Sequence, residues 1–292
     1  MPIDANGKLP SDSPAITNAT SYGSIAGALQ YLAITRPDLA FTVQQACVYM
    51  HDPRLQHLAQ LKWILRYVRG RTSHGLLLRA SPTLDVTAYS DAYWAGCPET
   101  RRSTSEFCVF LGDALVSWSS KRQPTVSRSS VEAEYRTMAN AAAECIRLRQ
   151  LLGKLHFPIL KATVAFCDNV SVVYMSKNPV HHKRTKHIKL DIHFVRERVQ
   201  AGELRILHVS TGEQYADIMT KGLTTKTFEA IRDSLCVMSM ILQTAGVIKC
   251  NLYLVVHSLA EAFFPRSSAH DVTHVRCALG CSRTSRWQLP AL

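Results

Sequence analysis

Four acidic side chains lie at strand ends or near helix starts in a predicted α/β pattern. Asp91 follows residues 84–89, which we predict as a strand because their apolar side chains recur at every second position. Glu134 falls in the first turns of a long helix, Asp168 ends a later strand, and Asp217 opens a late helix. Each acid alone fits a turn, a helix cap or a surface charge. Their joint order favours a shared site.

Carboxylates that meet in one pocket need a cation, because like charges in close contact do not all stay ionised. If the strands of Asp91 and Asp168 are parallel neighbours, both acids lie at the carboxyl edge of the sheet, where open α/β sheets place their sites. Oxygen ligands favour Mg²⁺ or Mn²⁺. Two such ions roughly 3.5–4 Å apart activate a water and stabilise the leaving oxygen of a phosphodiester. The pattern therefore predicts phosphodiester hydrolysis.

The chain divides into five predicted segments. Residues 1–21 are rich in Pro, Ser, Asp, Asn and Thr and are predicted as a disordered lead. The segment 22–80 contains a small helical unit, predicted from the helical periodicity of residues 24–70. Residues 84–222 alternate strands and helices, which predicts a mixed sheet flanked by helices, and residues 223–236 add a helix. Residues 237–264 are apolar with polar interruptions and residues 265–292 show no clear period, so residues 237–292 are predicted as a poorly packed or foreign tail.

The composition indicates a globular chain with a polyanionic partner. Its 292 residues are 47% hydrophobic and 19% charged, enough for one or two domains with a real core. The net charge of +12 and the pI of about 9.4 favour nucleic acid as the partner, although a merely basic soluble protein has the same balance.

The cysteines and the N-terminal segment favour an intracellular setting. Nine cysteines occur at irregular spacing without a Cys-x-x-Cys pair, which argues against a zinc ribbon or knuckle. Cys108 and Cys167 lie in apolar runs, where buried free thiols are expected. The first residues are polar and contain no apolar signal segment. We expect a protein of the cytoplasm or nucleus that is not secreted.

Residues 22–236 resemble the C-terminal part of the copia-type retrotransposon Pol polyprotein. The order and joint presence of the motifs make the resemblance specific. The motifs are SIAGALQYL at 24–32, TRPD at 35–38, YSDA at 89–92, WAGC at 94–97, WSSKRQ at 118–123, SS at 129–130, EAEY at 132–135, CDN at 167–169, RTKHI at 184–188 and ADIMTK at 216–221.

The resemblance implies an RNase H fold over about residues 84–222 and hydrolysis of the RNA strand of RNA–DNA hybrids with two Mg²⁺ or Mn²⁺ ions. Residues 22–80 would be the helical end of the reverse transcriptase, its thumb or connection. The implied partners are the hybrid and a separate reverse transcriptase polymerase. The implied catalytic and metal-binding acids are Asp91, Glu134, Asp168 and Asp217, with Glu132 as the alternative to Glu134.

The sequence departs from the family's pattern at several points. No Asp-Asp pair occurs, so the polymerase metal motif is missing, as are the protease and integrase segments. Tyr93 stands where the family usually has Asp, and Glu106 stands where it usually has Gly. Glu106 is expected to crowd a tight turn or strand start. Neither change removes an implied metal ligand.

Basic residues next to the acidic elements are predicted to contact nucleic-acid phosphates, although a solvated basic face explains them equally well. His208 precedes the loop to Asp217, where related nucleases use a mobile His for product release. Its place in the predicted strand 204–209 argues against that role. The predicted nucleic-acid-binding residues are Lys121, Arg122, Arg128, Lys183, Arg184 and Lys186.

Three hypotheses follow from the sequence. The first is an active, metal-dependent RNase H, and the second is a catalytically inactive nucleic-acid-binding remnant of a decayed retroelement. The third is a membrane-tethered fragment that uses residues 237–264, although polar residues interrupt this segment too often to predict a membrane span. Hybrid cleavage separates the first hypothesis from the second, and fractionation tests the third.

Overall fold

The structure is a computed structural model that describes residue 2, residues 13–178 and residues 188–239. Short 3₁₀ helices at Pro37–Leu39, Thr211–Glu213 and Tyr215–Met219 accompany the main elements. In chain order these are α1 (Ala19–Leu32), α2 (Ala40–Val48), α3 (Leu55–Gly70), β1 (His74–Leu76), β2 (Val86–Tyr93), β3 (Thr104–Leu111), β4 (Ala114–Arg122), α4 (Ser130–Lys154), β5 (Thr163–Cys167), α5 (Val170–Lys177), α6 (Lys189–Gln200), β6 (Leu204–His208), α7 (Thr225–Ser234) and β7 (Val237–Ser239).

Strands β2 to β6 form one mixed sheet in the order β4-β3-β2-β5-β6. The β2–β3 and β3–β4 pairs are antiparallel, whereas β2–β5 and β5–β6 are parallel. Parallel neighbours require crossover connections, and helices α4, α5 and α6 lie in these crossovers. The predicted fold class, a mixed sheet flanked by helices and preceded by a helical segment, is confirmed.

Helix α4 covers one face of the sheet. It begins where the Ser129 hydroxyl accepts a hydrogen bond from the Glu132 backbone nitrogen at 3.2 Å, as expected of a serine N-cap. Met138, Ala142 and Cys145 recur at helical spacing and pack into the core with the β-strands. The cap and the apolar spacing therefore predict this helix to within one residue at either end.

The helical unit covers the opposite face of the sheet. Its buried Ile64 belongs to one hydrophobic cluster with Leu115 of β4 and Phe228 of α7. The Trp118 indole nitrogen of β4 also donates to the Ala33 carbonyl at 3.1 Å. The two predicted units therefore share one hydrophobic core. Burial of apolar surface in this core stabilises both units together.

Strand β2 is longer than predicted, and this changes the setting of Asp91. The strand pairs with β3 in continuous register as far as Tyr93↔Thr104, so Asp91 lies inside β2 rather than after its end. Its parallel pairing with β5 stops at Tyr89↔Phe166. Asp91 is therefore bonded to a partner strand on one side and faces the end of β5 on the other.

The two ends of the described chain also differ from the predictions. The predicted lead of residues 1–21 overlaps α1, because the Asn18 side chain caps this helix by accepting from the Ser21 backbone nitrogen at 2.9 Å. In the predicted tail, Val237–Ser239 pairs with β1 as strand β7. The rest of the tail, residues 240–292, lies outside the described residues. Within the described ranges, no helix has the length and apolar character needed to cross a membrane.

Candidate metal centre

Three carboxylates from three different elements meet at one edge of the sheet. Asp91, Glu134 and Asp168 each offer one oxygen atom, and these atoms all lie within 4.8 Å of one another. Asp91 is buried and the other two are half-buried. The parallel register of β2 and β5 places Asp91 and Asp168 side by side, which is the juxtaposition that the strand pattern predicted.

Hydrogen bonds at the first turns of α4 bring Glu134 to this edge. The Gln123 side-chain amide donates to the Ala133 carbonyl at 2.9 Å. The Thr137 hydroxyl donates to the Ser105 hydroxyl at 2.8 Å. Gln123 follows β4 and Ser105 lies in β3, so the start of α4 is fastened to the sheet next to Asp91.

Asn169 connects the turn that carries Asp168 with helix α4. Its Oδ1 atom accepts from the Ser171 backbone nitrogen at 2.9 Å and thereby caps α5. Its Nδ2 atom donates to Glu134 Oε1 at 3.0 Å. One side chain therefore caps α5 and orients a carboxylate of the centre.

Asp217 approaches Asp91 on the 3₁₀ helix Tyr215–Met219. Gln214, which precedes this helix, is fully buried, and its Nε2 atom donates to the Ser90 carbonyl at 3.1 Å. This bond fastens the helix to β2 immediately before Asp91. Sequence reasoning missed Gln214, because its partner on β2 is 124 residues away along the chain.

The Lys221 ammonium lies between two of the acids. Its Nζ atom is 3.6 Å from Asp91 Oδ2 and 3.1 Å from Asp217 Oδ1. Asp217 therefore stands beside the group of three carboxylates and is connected to Asp91 through a cation. The sequence analysis missed Lys221, although its spacing of four residues from Asp217 is a recognisable ion-pair signal.

Burial and like charge raise the pKa values of these acids. Burial raises the pKa of Glu134 to about 7, against the hydrogen bond from Asn169, and the charges of Asp168 and Asp91 add to the increase. Burial and the charge of Asp91 also raise the pKa of Asp217 to about 7, although Lys221 opposes this. The pKa of Asp168 is raised by the same two causes.

The donor set fits Mg²⁺ or Mn²⁺. Hard divalent cations prefer carboxylate oxygens, and the three clustered residues supply nothing else. Glu134 Oε2 is buried and has no hydrogen-bond partner among the described residues. A buried carboxylate oxygen of this kind is satisfied most simply by a cation.

Glu106 is a further carboxyl beside the centre. It lies directly opposite Asp91 on β3 and is fully buried, at 0% exposure. Ser120 donates to Glu106 Oε1 at 3.3 Å, whereas Oε2 has no hydrogen-bond partner in the described part of the chain. Burial, followed by the charge of Asp91, raises the Glu106 pKa well above its ordinary range. The predicted crowding of a turn does not occur, because Glu106 lies inside a paired strand.

Glu132 is engaged away from the centre. Its Oε2 atom accepts from the Arg128 backbone nitrogen at 2.9 Å, and its Oε1 atom pairs with Arg136 at 2.8 Å. These contacts stabilise the start of α4. Of the two glutamates weighed from the sequence, Glu134 is the one that faces Asp91 and Asp168.

The described basic residues lie near this edge of the sheet. Lys121 and Arg122 end β4, and the antiparallel registers place that end beside the end of β2. Arg128 lies just before α4, and both Lys121 and Arg128 are exposed. Contact with nucleic acid stays a prediction for all three. The other predicted binding residues lie outside the described residues: Lys183, Arg184 and Lys186.

His208 lies at the rim of the centre. It ends β6 opposite Cys167 of β5, and it is exposed. Its charge opposes the raised pKa of Asp168, which places it within electrostatic range of that acid. A role for His208 in product release stays a prediction.

Comparison with known proteins places the chain among transposon polyproteins. It is 47% identical over 214 residues to the retrovirus-related Pol polyprotein from transposon RE1 of Arabidopsis thaliana, covering 73% of this chain and 15% of the polyprotein. It is 44% identical over 234 residues to the corresponding RE2 polyprotein, covering 80% and 16%. No family model matches the chain.

Among solved structures, the chain is similar to the N-terminal RNase H domain of rv2228c from Mycobacterium tuberculosis, solved as a fusion with maltose-binding protein. The TM-score is 0.36 at 16% identity, and the match covers 52% of this chain and 99% of that chain.

The strand order, with helices on both faces, defines an RNase H-like α/β fold. The chain belongs to the retrovirus-related Pol polyproteins of copia-like transposons. It spans only 15% and 16% of the length of the RE1 and RE2 polyproteins.

Proposed function

We propose that this chain hydrolyses the RNA strand of RNA–DNA hybrids with two Mg²⁺ or Mn²⁺ ions. The observation that carries the proposal is the convergence of Asp91, Glu134 and Asp168 oxygens within 4.8 Å of one another. Membership of the Pol polyprotein family and the RNase H-like fold support the same chemistry.

The side chains divide into ligands and groups that orient them. When bound, divalent ions supply Lewis-acid polarisation of a phosphodiester and lower the pKa of a bound water. Asp91, Glu134 and Asp168 would hold one ion, and Asp91 with Asp217 would hold the other. Asn169 keeps Glu134 Oε1 in place through its 3.0 Å hydrogen bond, so that Oε2 remains available.

The basic residues around the carboxylates supply the polyanion contacts in this proposal. Lys121, Arg122 and Arg128 lie near the edge of the sheet that carries Asp91. Phosphate contacts of this kind position a duplex without reading its sequence. We therefore expect cleavage with little sequence preference and binding that weakens as salt concentration rises.

The test is cleavage by the purified chain of a labelled RNA–DNA hybrid, with single-stranded RNA and duplex DNA as comparison substrates. We expect cleavage of the hybrid's RNA strand with Mg²⁺ or Mn²⁺ and none with EDTA. Asp168→Asn should lower the rate by about 100-fold or more, because it removes a ligand to the reacting ions. Asp113→Asn, in the β3–β4 turn at the opposite edge of the sheet, is the matched control and should cleave normally.

Two results would contradict the proposal. One is equal cleavage by the wild-type chain and Asp168→Asn, which would place the activity elsewhere. The other is salt-sensitive binding of the hybrid without any metal-dependent cleavage, which would support the inactive nucleic-acid-binding remnant instead.

A further inference from the structure

One half of the centre already contains a positive charge. Lys221 Nζ is 3.1 Å from Asp217 Oδ1 and 3.6 Å from Asp91 Oδ2, so the ammonium lies where these two acids approach each other. Within the described chain, Lys221 forms ion pairs with both of these acids. The other half, formed by Asp91, Glu134 and Asp168, gathers three carboxylates within 4.8 Å of one another. The two halves share Asp91 and differ in their cation.

Glu106 places a further buried oxygen next to Asp91. It lies on the same face of the sheet as Asp91, directly across from it in the β2–β3 register. The side chain is fully buried, and its Oε2 atom has no hydrogen-bond partner in the ranges that the structure describes. An unpaired buried oxygen of this kind is costly, and a cation that binds here would supply the missing partner.

We infer that Lys221 is the resident cation of the Asp91–Asp217 half, and that a second divalent ion enters this half only when the ammonium leaves it. This inference rests on the proposed two-metal function. A monovalent and a divalent cation held within a few ångströms repel each other strongly, so both do not occupy the same pair of carboxylates. The first ion therefore binds beside Glu134 and Asp168, and the second binds in competition with Lys221.

The side chain of Lys221 is suited to this exchange. It is 38% exposed, so the ammonium reaches solvent by rotation of its flexible four-carbon stem. Lys221 also lies just after the 3₁₀ helix Tyr215–Met219, which Gln214 fastens to β2. The lysine can leave without moving Asp217 from its place.

The experiment compares Mn²⁺ binding by the wild-type chain and Lys221→Met, a variant that keeps the apolar stem and removes the charge. Titration calorimetry gives the affinities, and electron paramagnetic resonance counts the bound ions and reports neighbouring Mn²⁺ pairs. We expect the second ion to bind about tenfold or more tightly in Lys221→Met, with a smaller increase in the affinity for the first ion, because the Lys221 charge also acts on Glu134 and Asp168.

The matched control is Lys161→Met. Lys161 pairs with Asp85 at 2.9 Å, near the opposite edge of the sheet, so this variant loses the same charge away from the centre. It should bind Mn²⁺ as the wild-type chain does. Lys221→Arg, which keeps the charge, should also resemble the wild-type chain. First-ion binding at least as tight as in the wild-type chain shows that Lys221→Met is folded.

Three results would overturn the inference: equal second-ion affinity in the wild-type chain and Lys221→Met, weaker second-ion binding in that variant, or no Mn²⁺ binding by either protein. Hybrid cleavage is measured separately on the same samples. If Lys221→Met gains the second ion but neither protein cleaves the hybrid, the inference holds while the proposed function fails. If the wild-type chain cleaves the hybrid but binds the second ion as tightly as Lys221→Met does, the proposed function holds while the inference fails.

Discussion

Two acidic sites in this molecule have opposite surroundings. In the helical unit, Asp38 is buried beside Arg36, whose Nε and Nη2 atoms donate to its two oxygens at 2.8 Å each, and the Tyr67 hydroxyl adds a bond of 2.9 Å. At the edge of the sheet, Asp91 and Glu134 face other carboxylates, and one Glu134 oxygen has no hydrogen-bond partner among the described residues. The carboxylate is neutralised within the fold in the first place, whereas in the second the Lys221 ammonium balances only part of the clustered negative charge.

The contrast separates structural acids from functional ones. The Arg36 guanidinium also donates to the Arg71 and His74 carbonyls, at 3.2 and 3.4 Å, so the Asp38 network ties the 3₁₀ turn at Pro37–Leu39 to the end of α3. The TRPD motif that contributed to the family resemblance therefore has a structural explanation here. At the centre, Lys221 pairs with Asp91 and Asp217, whereas Glu134 and Asp168 have no ion pair with a basic side chain among the described residues, which favours metal binding.

The largest expected effect is on the structural side of this contrast. Asp38→Ala should lower the free energy of unfolding by about 3–5 kcal/mol, because it leaves the Arg36 charge buried without a partner. Asp52→Ala, which removes an exposed partner of Arg54 at 3.5 Å, should cost about 0–1 kcal/mol. Urea unfolding of both variants checks the difference. Equal losses would show that the Asp38 network does not stabilise the fold.

A smaller effect of opposite sign is expected at the centre. Glu134→Gln should raise the free energy of unfolding of the metal-free chain by about 1–2 kcal/mol at pH 8, after allowance for solvent screening. The neutral amide avoids the burial and like-charge repulsion that raise the Glu134 pKa to about 7, and its oxygen still accepts from Asn169.

Glu144→Gln on the same helix is the matched control for that prediction. Glu144 pairs with Arg147 and accepts from the Ser117 hydroxyl, and the Arg147 hydrogen bond is the main cause of its lowered pKa. This variant should lose stability. If Glu134→Gln also destabilises the metal-free chain, the contrast between the two kinds of acid is wrong.

The smallest predicted effect is a pH-dependent response to Mg²⁺. Because the pKa of Glu134 and of Asp217 is raised to about 7, the folded metal-free chain retains protons that the unfolded chain has lost between about pH 4 and 7. Stability should therefore fall as the pH rises through this window and then level off. Mg²⁺ binds the ionised acids, so its stabilising effect should be larger at pH 8 than at pH 5.

Thermal unfolding with and without Mg²⁺ at the two pH values measures this difference. We expect the increase in Tm to be about 3 °C or more larger at pH 8. An equal increase at both pH values, or a larger one at pH 5, would contradict the assignment of these acids to the metal centre.

Local patterns predicted most elements, whereas pairing between strands changed the setting of Asp91 and made residues 237–239 a strand. The cap at Ser129 and the apolar spacing are sufficient to predict α4, because both are properties of adjacent residues. The predicted end of the strand before Asp91 was wrong, because β2 continues along β3 to Tyr93↔Thr104. The length of a strand depends on its partner, and the local sequence does not contain that information.

The same distinction applies to the candidate centre. The order of elements was sufficient to predict that Asp91 and Asp168 lie together, since parallel neighbouring strands end at the same edge. Glu106 and Gln214 were not predicted as parts of the centre, because a strand register and a contact across 124 residues place them there. Lys221 was within reach of sequence reasoning through its spacing from Asp217.

The most direct test of the metal centre is anomalous diffraction from crystals of the wild-type chain soaked in Mn²⁺. The account predicts an anomalous peak coordinated by oxygens of Asp91, Glu134 and Asp168. A crystal in which these three carboxylates point apart, or in which Mn²⁺ binds only at other positions, would contradict it.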